Sequence, residues 1–287
     1  MKAEIVDSLR SQYKFDELLN KVGIKRATFY DWQKRSQQPD KYADVKVVIR
    51  KAYRDSAETY GYRRMLAETV KAGFPYCEET IRHLMTQMGM KVVVYSRHTA
   101  KYSSYKATIG HFAPNKLKQK FVATKVRTIL HTDVTQLRLT TGGWAYISAV
   151  IGEANDEVLA ACASSSPNKA LISRTINELK PHLKSSIMPI LHSDQGWQYQ
   201  TKDYQASLAS LHIIQSMSRK GNCHDNAPVE SFFNLLKREY LKRVNFNNIK
   251  DLQAGLNSYV YKFNNERISM NKNGLTPVEY RSQTESA

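Results

Sequence analysis

The chain has 287 residues, 41% apolar and 24% charged. That balance excludes a disordered protein and leaves room for two domains or one core with appendages. No apolar run approaches the roughly 18 residues of a membrane span, and the first residues lack an apolar signal segment, so a cytoplasmic protein is expected. The formal net charge of +17 is uneven: residues 1–127 hold 26 Lys/Arg against 12 Asp/Glu, and residues 128–287 hold 17 against 14. A basic half of this kind is an electrostatic footprint for a polyanion.

In chain order, residues 13–35 predict a helix, a turn at Gly23 and a second helix. Leu18, Leu19, Val22, Ile24 and Phe29 would share a core, leaving Lys25, Arg26, Thr28 and Tyr30 on the second helix. This is a helix-turn-helix pattern for residues 1–45, with a plain helical hairpin as the alternative. Residues 46–95 repeat it, with helices ending at Gly73 and Gly89. Ile81, Leu84, Met85 and Met88 fall at core spacing, which leaves Arg63, Arg64, Arg82 and His83 for the surface. Residues 96–120 read as a basic linker, in which Lys101, Tyr102, Tyr105 and Phe112 suit either phosphate tracking and base stacking or plain solvation.

From residue 121 the pattern becomes β-β-β-α-β-α-β-α to residue 240, an α/β fold with a mixed sheet. "TTGG" at 140–143 predicts a hairpin turn. A helical tail occupies 241–287. Cys77, Cys162 and Cys223 are odd in number and far apart, which suits a reducing compartment and no CxxC metal site.

Three acids stand in unusual places. Asp133 interrupts the apolar strand "LHTDVT", and Asp194 follows the apolar run "IMPIL" where a strand opens into a loop. A buried unpaired carboxylate is costly, and two neighbouring ones repel. A divalent cation removes both problems. Glu230, on the helix that opens at Pro228, offers a third carboxylate, with 35 residues between it and Asp194. Hard oxygen ligands with open positions suit Mg²⁺, with Mn²⁺ as a substitute, rather than Zn²⁺. Two such ions about 4 Å apart activate a nucleophilic oxygen and stabilise the leaving oxygen of a phosphodiester.

"HTDVT", "LHSDQGWQY", "SRKGNCHDNAPVESFFNLLKRE" and "YKFNNERISMNKNGLTPVEY" resemble bacterial insertion-sequence transposases of the second-reading-frame type, with a retroviral-integrase-like catalytic core. "ETYGYRRM" resembles the helix-turn-helix segment of the same group. The resemblance implies a ribonuclease-H-like core preceded by small all-α helix-turn-helix domains, with Asp133, Asp194 and Glu230 as catalytic metal ligands. It departs from many relatives at Leu130, where they carry Trp, and at Ser269, where they carry His.

The expected activity is cleavage of the ends of a mobile element and joining of the 3′-OH to target DNA. The alternatives are a helix-turn-helix regulator with an inert core, or a nuclease without strand transfer. Double-stranded DNA at the element ends and target is the expected partner, with a homo-oligomer on DNA and association with the nucleoid. The resemblance adds an upstream-frame protein or frameshift fusion. DNA contacts are expected from Arg26, Thr28, Tyr30, Arg63, Arg64, Arg82, Lys101, Arg219, Lys220, Asn226, Asn234 and Lys237, with positioning of the Glu230 helix as a second role for Asn226. His131 and His192 flank the acids as candidates for proton transfer or as core residues. Gln195, Gly196 and Tyr199 would shape the loop after Asp194, and the loop from Ser218 to Asn226 would order only with DNA.

Overall fold

The computed structural model describes residues 2–94, 113–117, 123–184, 186–219 and 223–286. At its N-terminus α1 (Lys2–Leu9), α2 (Phe15–Val22) and α3 (Arg26–Ser36) close on Val6, Leu18, Leu19 and Phe29. The α2–α3 turn rests on Gly23 at φ +67°, a left-handed conformation that a Cβ disfavours. Helix α1, absent from the sequence reading, supplies Ala3 and Val6 to this core.

A second group, α4 (Ala43–Asp55), α5 (Tyr62–Lys71) and α6 (Glu78–Gln87), packs around Val45, Ile49, Met65, Ile81, Leu84 and Met85. Helices α5 and α6 are the pair read from the sequence; α4 is additional. This core borrows from the far end of the chain, because Ile268 is buried within it. The Tyr60 hydroxyl donates to the Glu266 carbonyl (3.1 Å) and accepts from the Ile268 N–H (3.0 Å).

The remaining chain forms β1 (Ile129–Arg138), β2 (Trp144–Gly152), β3 (Val158–Ser164), α7 (Lys169–Leu179), β4 (Ile190–Ser193), α8 (Lys202–Ser210), β5 (Ile214–Met217) and α9 (Ala227–Leu236). These follow the order read from the sequence. The sheet order is β3-β2-β1-β4-β5, with β1 to β3 antiparallel and β4 and β5 parallel to β1. This is the mixed α/β sheet of a ribonuclease-H-like core. Side chains alternate across it. Leu130, Val150 and Leu191 face α7 and α8, whose Ile172, Ile176 and Leu208 complete that core. Ile147, Ala149 and Ile151 face the other way, onto Val229, Phe232, Phe233 and Leu236 of α9.

Helix α10 (Ile249–Asn265) completes this second layer with Leu252, Leu256 and Phe263, and α11 (Pro277–Ser286) follows. The tail helix α10 also covers a sheet edge, which would otherwise present unpaired backbone groups. Asn264 accepts from the Val158 N–H (2.9 Å) and donates to its carbonyl (2.8 Å), and Gln253 accepts from the Ala163 N–H (2.6 Å). At the opposite edge the Lys116 N–H donates to the Ser216 hydroxyl on β5 (3.0 Å). Among the described residues no helix is long and apolar enough to cross a membrane.

Candidate active site

Parallel pairing delivers two acids to one place. His131 of β1 is the register partner of His192 of β4, and Asp133 and Asp194 each lie two residues further on. Asp133 stays within β1, opposite Ala149 of β2. Asp194 lies just beyond the last residue of β4, Ser193. Because Leu130 faces α7 and α8, the alternation turns His131 and Asp133 toward α9. Glu230 sits in the first turns of α9, one helical turn after Asn226, and α9 packs on β1 and β2.

The electrostatics tie these groups together. Burial pushes the Asp133 carboxyl up to about 8, the negative charge of Asp194 pushes in the same direction, and Glu230 adds to it. The Val134 N–H, donated to Asp133 Oδ1 at 2.7 Å, and the Lys237 ammonium pull the other way. Asp194 reaches the surface through one side, yet the surrounding protein displaces enough water to raise its pKa. The Gly196 N–H, donated to Asp194 Oδ1 at 2.8 Å, opposes that shift. A Cβ at Gly196 would come within 2.9 Å of that same oxygen, so a larger residue would have to turn the Asp194 carboxylate aside. Gln195 donates to the Ser218 carbonyl (3.0 Å), and Tyr199 is buried beneath the loop.

Closely spaced carboxylates with raised pKa values, and no thiol among them, match the donor chemistry of a hard divalent cation. Asp133 and Asp194 fit that role directly. Among the described residues no three His, Cys, Asp or Glu side chains are grouped closely enough to hold a metal ion. Glu230 is therefore felt by Asp133 without completing a three-ligand cluster. Cys77 and Cys162 are free thiols.

Both histidines are buried behind the acids. His192 spends Nδ1 on the Ser216 hydroxyl (2.9 Å) and Nε2 on the Ser218 hydroxyl (3.1 Å), and burial pushes its pKa down to about 4. His131 lies between Glu153 and Asn226. These partners assign both rings to the core rather than to proton transfer.

The expected DNA contacts divide. Arg26, Thr28, Tyr30, Arg63, Arg82 and Asn234 are exposed. Arg26 pairs with Asp16 (2.7 Å) and Arg82 with Glu79 (2.8 Å). Arg64 is not a free surface cation: it is half-buried over the Tyr60 ring, and burial and the nearby Arg267 lower its pKa. Asn226 is buried, with both ends of its amide engaged inside the protein. In this structure its amide is spent on contacts within the fold. Arg219 is exposed but binds buried Asp225 through two guanidinium nitrogens (3.1 and 3.2 Å). Lys237 is half-buried beside Asp133, and burial lowers its pKa. Lys101 and Lys220 lie outside the described residues, as do Tyr102, Tyr105 and Phe112 of the linker.

The described ends of the loop are anchored within the protein. Ser218 is buried, and Asp225 also accepts from Asn115 (2.9 Å) and from the Arg219 N–H (2.8 Å). The sequence reading missed Glu153. It directly follows the apolar run of β2, the same kind of position that singled out Asp194.

Comparison with known proteins agrees with this architecture. The Integrase core domain family matches residues 123–223, a second Integrase core domain family matches residues 230–284, and the HTH-like domain family matches residues 39–98. The chain is 39% identical over 281 residues to the putative transposase InsK for insertion sequence element IS150 of Escherichia coli (strain K12), covering 98% of both proteins. It is 30% identical over 282 residues to the probable transposase for insertion sequence element IS1353 of Shigella flexneri, covering 98% of this chain and 54% of that protein. Among solved structures, the HTLV-2 integrase catalytic core domain in complex with magnesium is 16% identical, covering 55% of this chain and 97% of that chain at a TM-score of 0.44. A simian T-cell lymphotropic virus intasome chain is 14% identical, covering 80% and 73% at a TM-score of 0.48. With its helix-turn-helix-like segment, its integrase core and the 39% identity to the IS150 transposase over nearly the full length of both proteins, the chain belongs to the insertion-sequence transposases with an integrase-type core.

Proposed function

We propose that the chain cleaves the ends of a mobile DNA element and joins the freed 3′-OH to target DNA, using Asp133, Asp194 and Glu230 as ligands for Mg²⁺, or Mn²⁺ in its place. The observation that carries this reading is the raised pKa of Asp133 beside Asp194, with Glu230 contributing from α9. Such mutual repulsion between neighbouring inner strands serves no purpose in packing and is relieved by a divalent cation. When bound, the metal supplies charge neutralisation for the attacking and leaving oxygens of a phosphodiester.

The chain's own residues do the rest. Asp133 is held by the rigid centre of β1 and by the Val134 N–H. Gly196 fixes one oxygen of Asp194 and leaves the other for a ligand. Lys237 presents a cation at the same cleft, suited to a phosphate oxygen. Water is the nucleophile for cleavage and the 3′-OH for joining, so no covalent protein–DNA bond forms and no Ser or Tyr nucleophile is needed.

Duplex DNA is the partner this reading requires, bound through the basic N-terminal half, with a homo-oligomer on the two ends and an upstream-frame protein or fusion as further partners. A strand-transfer assay with labelled DNA ends in Mg²⁺ tests it. Joined products support a transposase. Nicked ends without joining indicate a nuclease, and binding without either indicates a regulator.

A further inference from the structure

A buried polar chain runs behind the candidate acids. Glu153, at the end of β2, is 8% exposed, and a buried acid must be satisfied. Its Oε1 accepts from the Ala123 N–H (2.9 Å), and its Oε2 faces His131 Nε2 at 2.8 Å. His131 is fully buried, and its Nδ1 lies 3.0 Å from Asn226 Oδ1. Asn226 donates its Nδ2 hydrogen to the Thr132 carbonyl at 3.0 Å. The amide oxygen is therefore the acceptor, and His131 donates from Nδ1. The chain ends on two places that matter: the backbone next to Asp133, and the residue one turn ahead of Glu230.

We propose that Glu153, His131 and Asn226 position the start of α9, and through it Glu230, against the strand that carries Asp133. They are positioning residues, since their hydrogen bonds run to one another, to the Ala123 N–H and to the Thr132 carbonyl. The proposal rests on the triad reading above. Apolar side chains of similar shape would fill the same space at comparable stability. What the hydrogen-bonded chain adds is one discrete placement of helix against strand. Asp225 pins the same helix start from its other side through Arg219 and Asn115, so the anchor does not depend on α9 packing alone. Misplacing a reacting geometry by about 1 Å costs on the order of 10²-fold in rate. Loss of groups that orient metal ligands costs about 10–100-fold.

The test uses the full chain with N226A, E153A and E153Q. Three quantities are read: joining rate at saturating DNA and Mg²⁺, the Mn²⁺ concentration giving half-maximal thermal stabilisation of the DNA-free protein, and DNA affinity. N226A and E153A should raise the Mn²⁺ half-saturation and lower joining by about 10–100-fold, with DNA affinity within about twofold. E153Q should recover most of what E153A loses, because Gln still accepts from the Ala123 N–H and can donate to His131 Nε2. Folded N226A and E153A proteins with wild-type metal response and joining would overturn the proposal. Should the alanine variants fail to fold, E153Q decides: a folded E153Q with joining down and half-saturation up by more than tenfold contradicts a role for hydrogen bonding. D133N is run alongside. If it keeps the wild-type Mn²⁺ response and joining, the triad reading fails instead, independently of the Asn226 result.

Discussion

Asp133, within β1, and Asp194, just beyond the end of parallel β4, each lie two residues past the paired His131 and His192. The acids are thus delivered to one place in the middle of the sheet by backbone pairing, which holds them together against their own repulsion. The consequence is a site that resists ionising both carboxylates without a cation.

That resistance makes a pH prediction. Asp133 is raised to about 8 in the fold, against about 4 for an unfolded aspartate. The folded state therefore binds more protons across that interval, and stability falls as pH rises from about 4 to about 8. In EDTA, the melting temperature of Asp133→Asn relative to wild type should climb between pH 5 and pH 8.5. Mg²⁺ should flatten the wild-type curve, because binding displaces the proton. A constant difference across that range would contradict the raised pKa.

Gly196→Ala tests the loop after Asp194. The new methyl would meet Asp194 Oδ1 and Gln198 Oε1, both at 2.9 Å, and the backbone, at an ordinary φ, has no strain to add. Both neighbours are side-chain ends that can move, so stability should change by less than about 1 kcal/mol, as for a surface substitution. Joining should fall by about 10–100-fold, since Asp194 must turn. Thermal melting and single-turnover joining measured on one preparation separate the two effects.

Arg63 and Arg64 are adjacent in sequence but differ in environment. Arg63 is exposed, whereas Arg64 is half-buried against Tyr60 with Arg267 nearby. Arg63→Gln should leave melting unchanged and, if Arg63 meets a phosphate, reduce the salt slope of DNA binding by about 1. Arg64→Gln should lower the melting temperature and leave the slope alone. Reversed behaviour would show that the helical group docks on the tail differently in solution.

Much of the core was legible in the sequence because its signals are local. Period-two apolar runs gave the strands, and acids interrupting such runs marked Asp133 and Asp194. Other features depend on distant segments. Arg64 reads as a surface cation from helical spacing alone, since nothing nearby shows that Tyr60 reaches Glu266 and Ile268. The polar stretch around Arg219 and Asn226 reads as a DNA-facing loop, because the partners that bury its end are Asn115, His131 and Thr132. The amphipathic pattern of α10 implies a buried face, but not that Gln253 and Asn264 would complete the edge of β3.

The central claim is that Asp133, Asp194 and Glu230 act together as ligands and not as parts of the fold. The most direct measurement is Mg²⁺-dependent joining of labelled element ends by Asp133→Asn, Asp194→Asn and Glu230→Gln, with DNA affinity determined for each protein. Every substitution should abolish joining while affinity stays within a few-fold of wild type, since each swap keeps shape and removes only charge. Near-wild-type joining by any one of the three would remove that residue from the site.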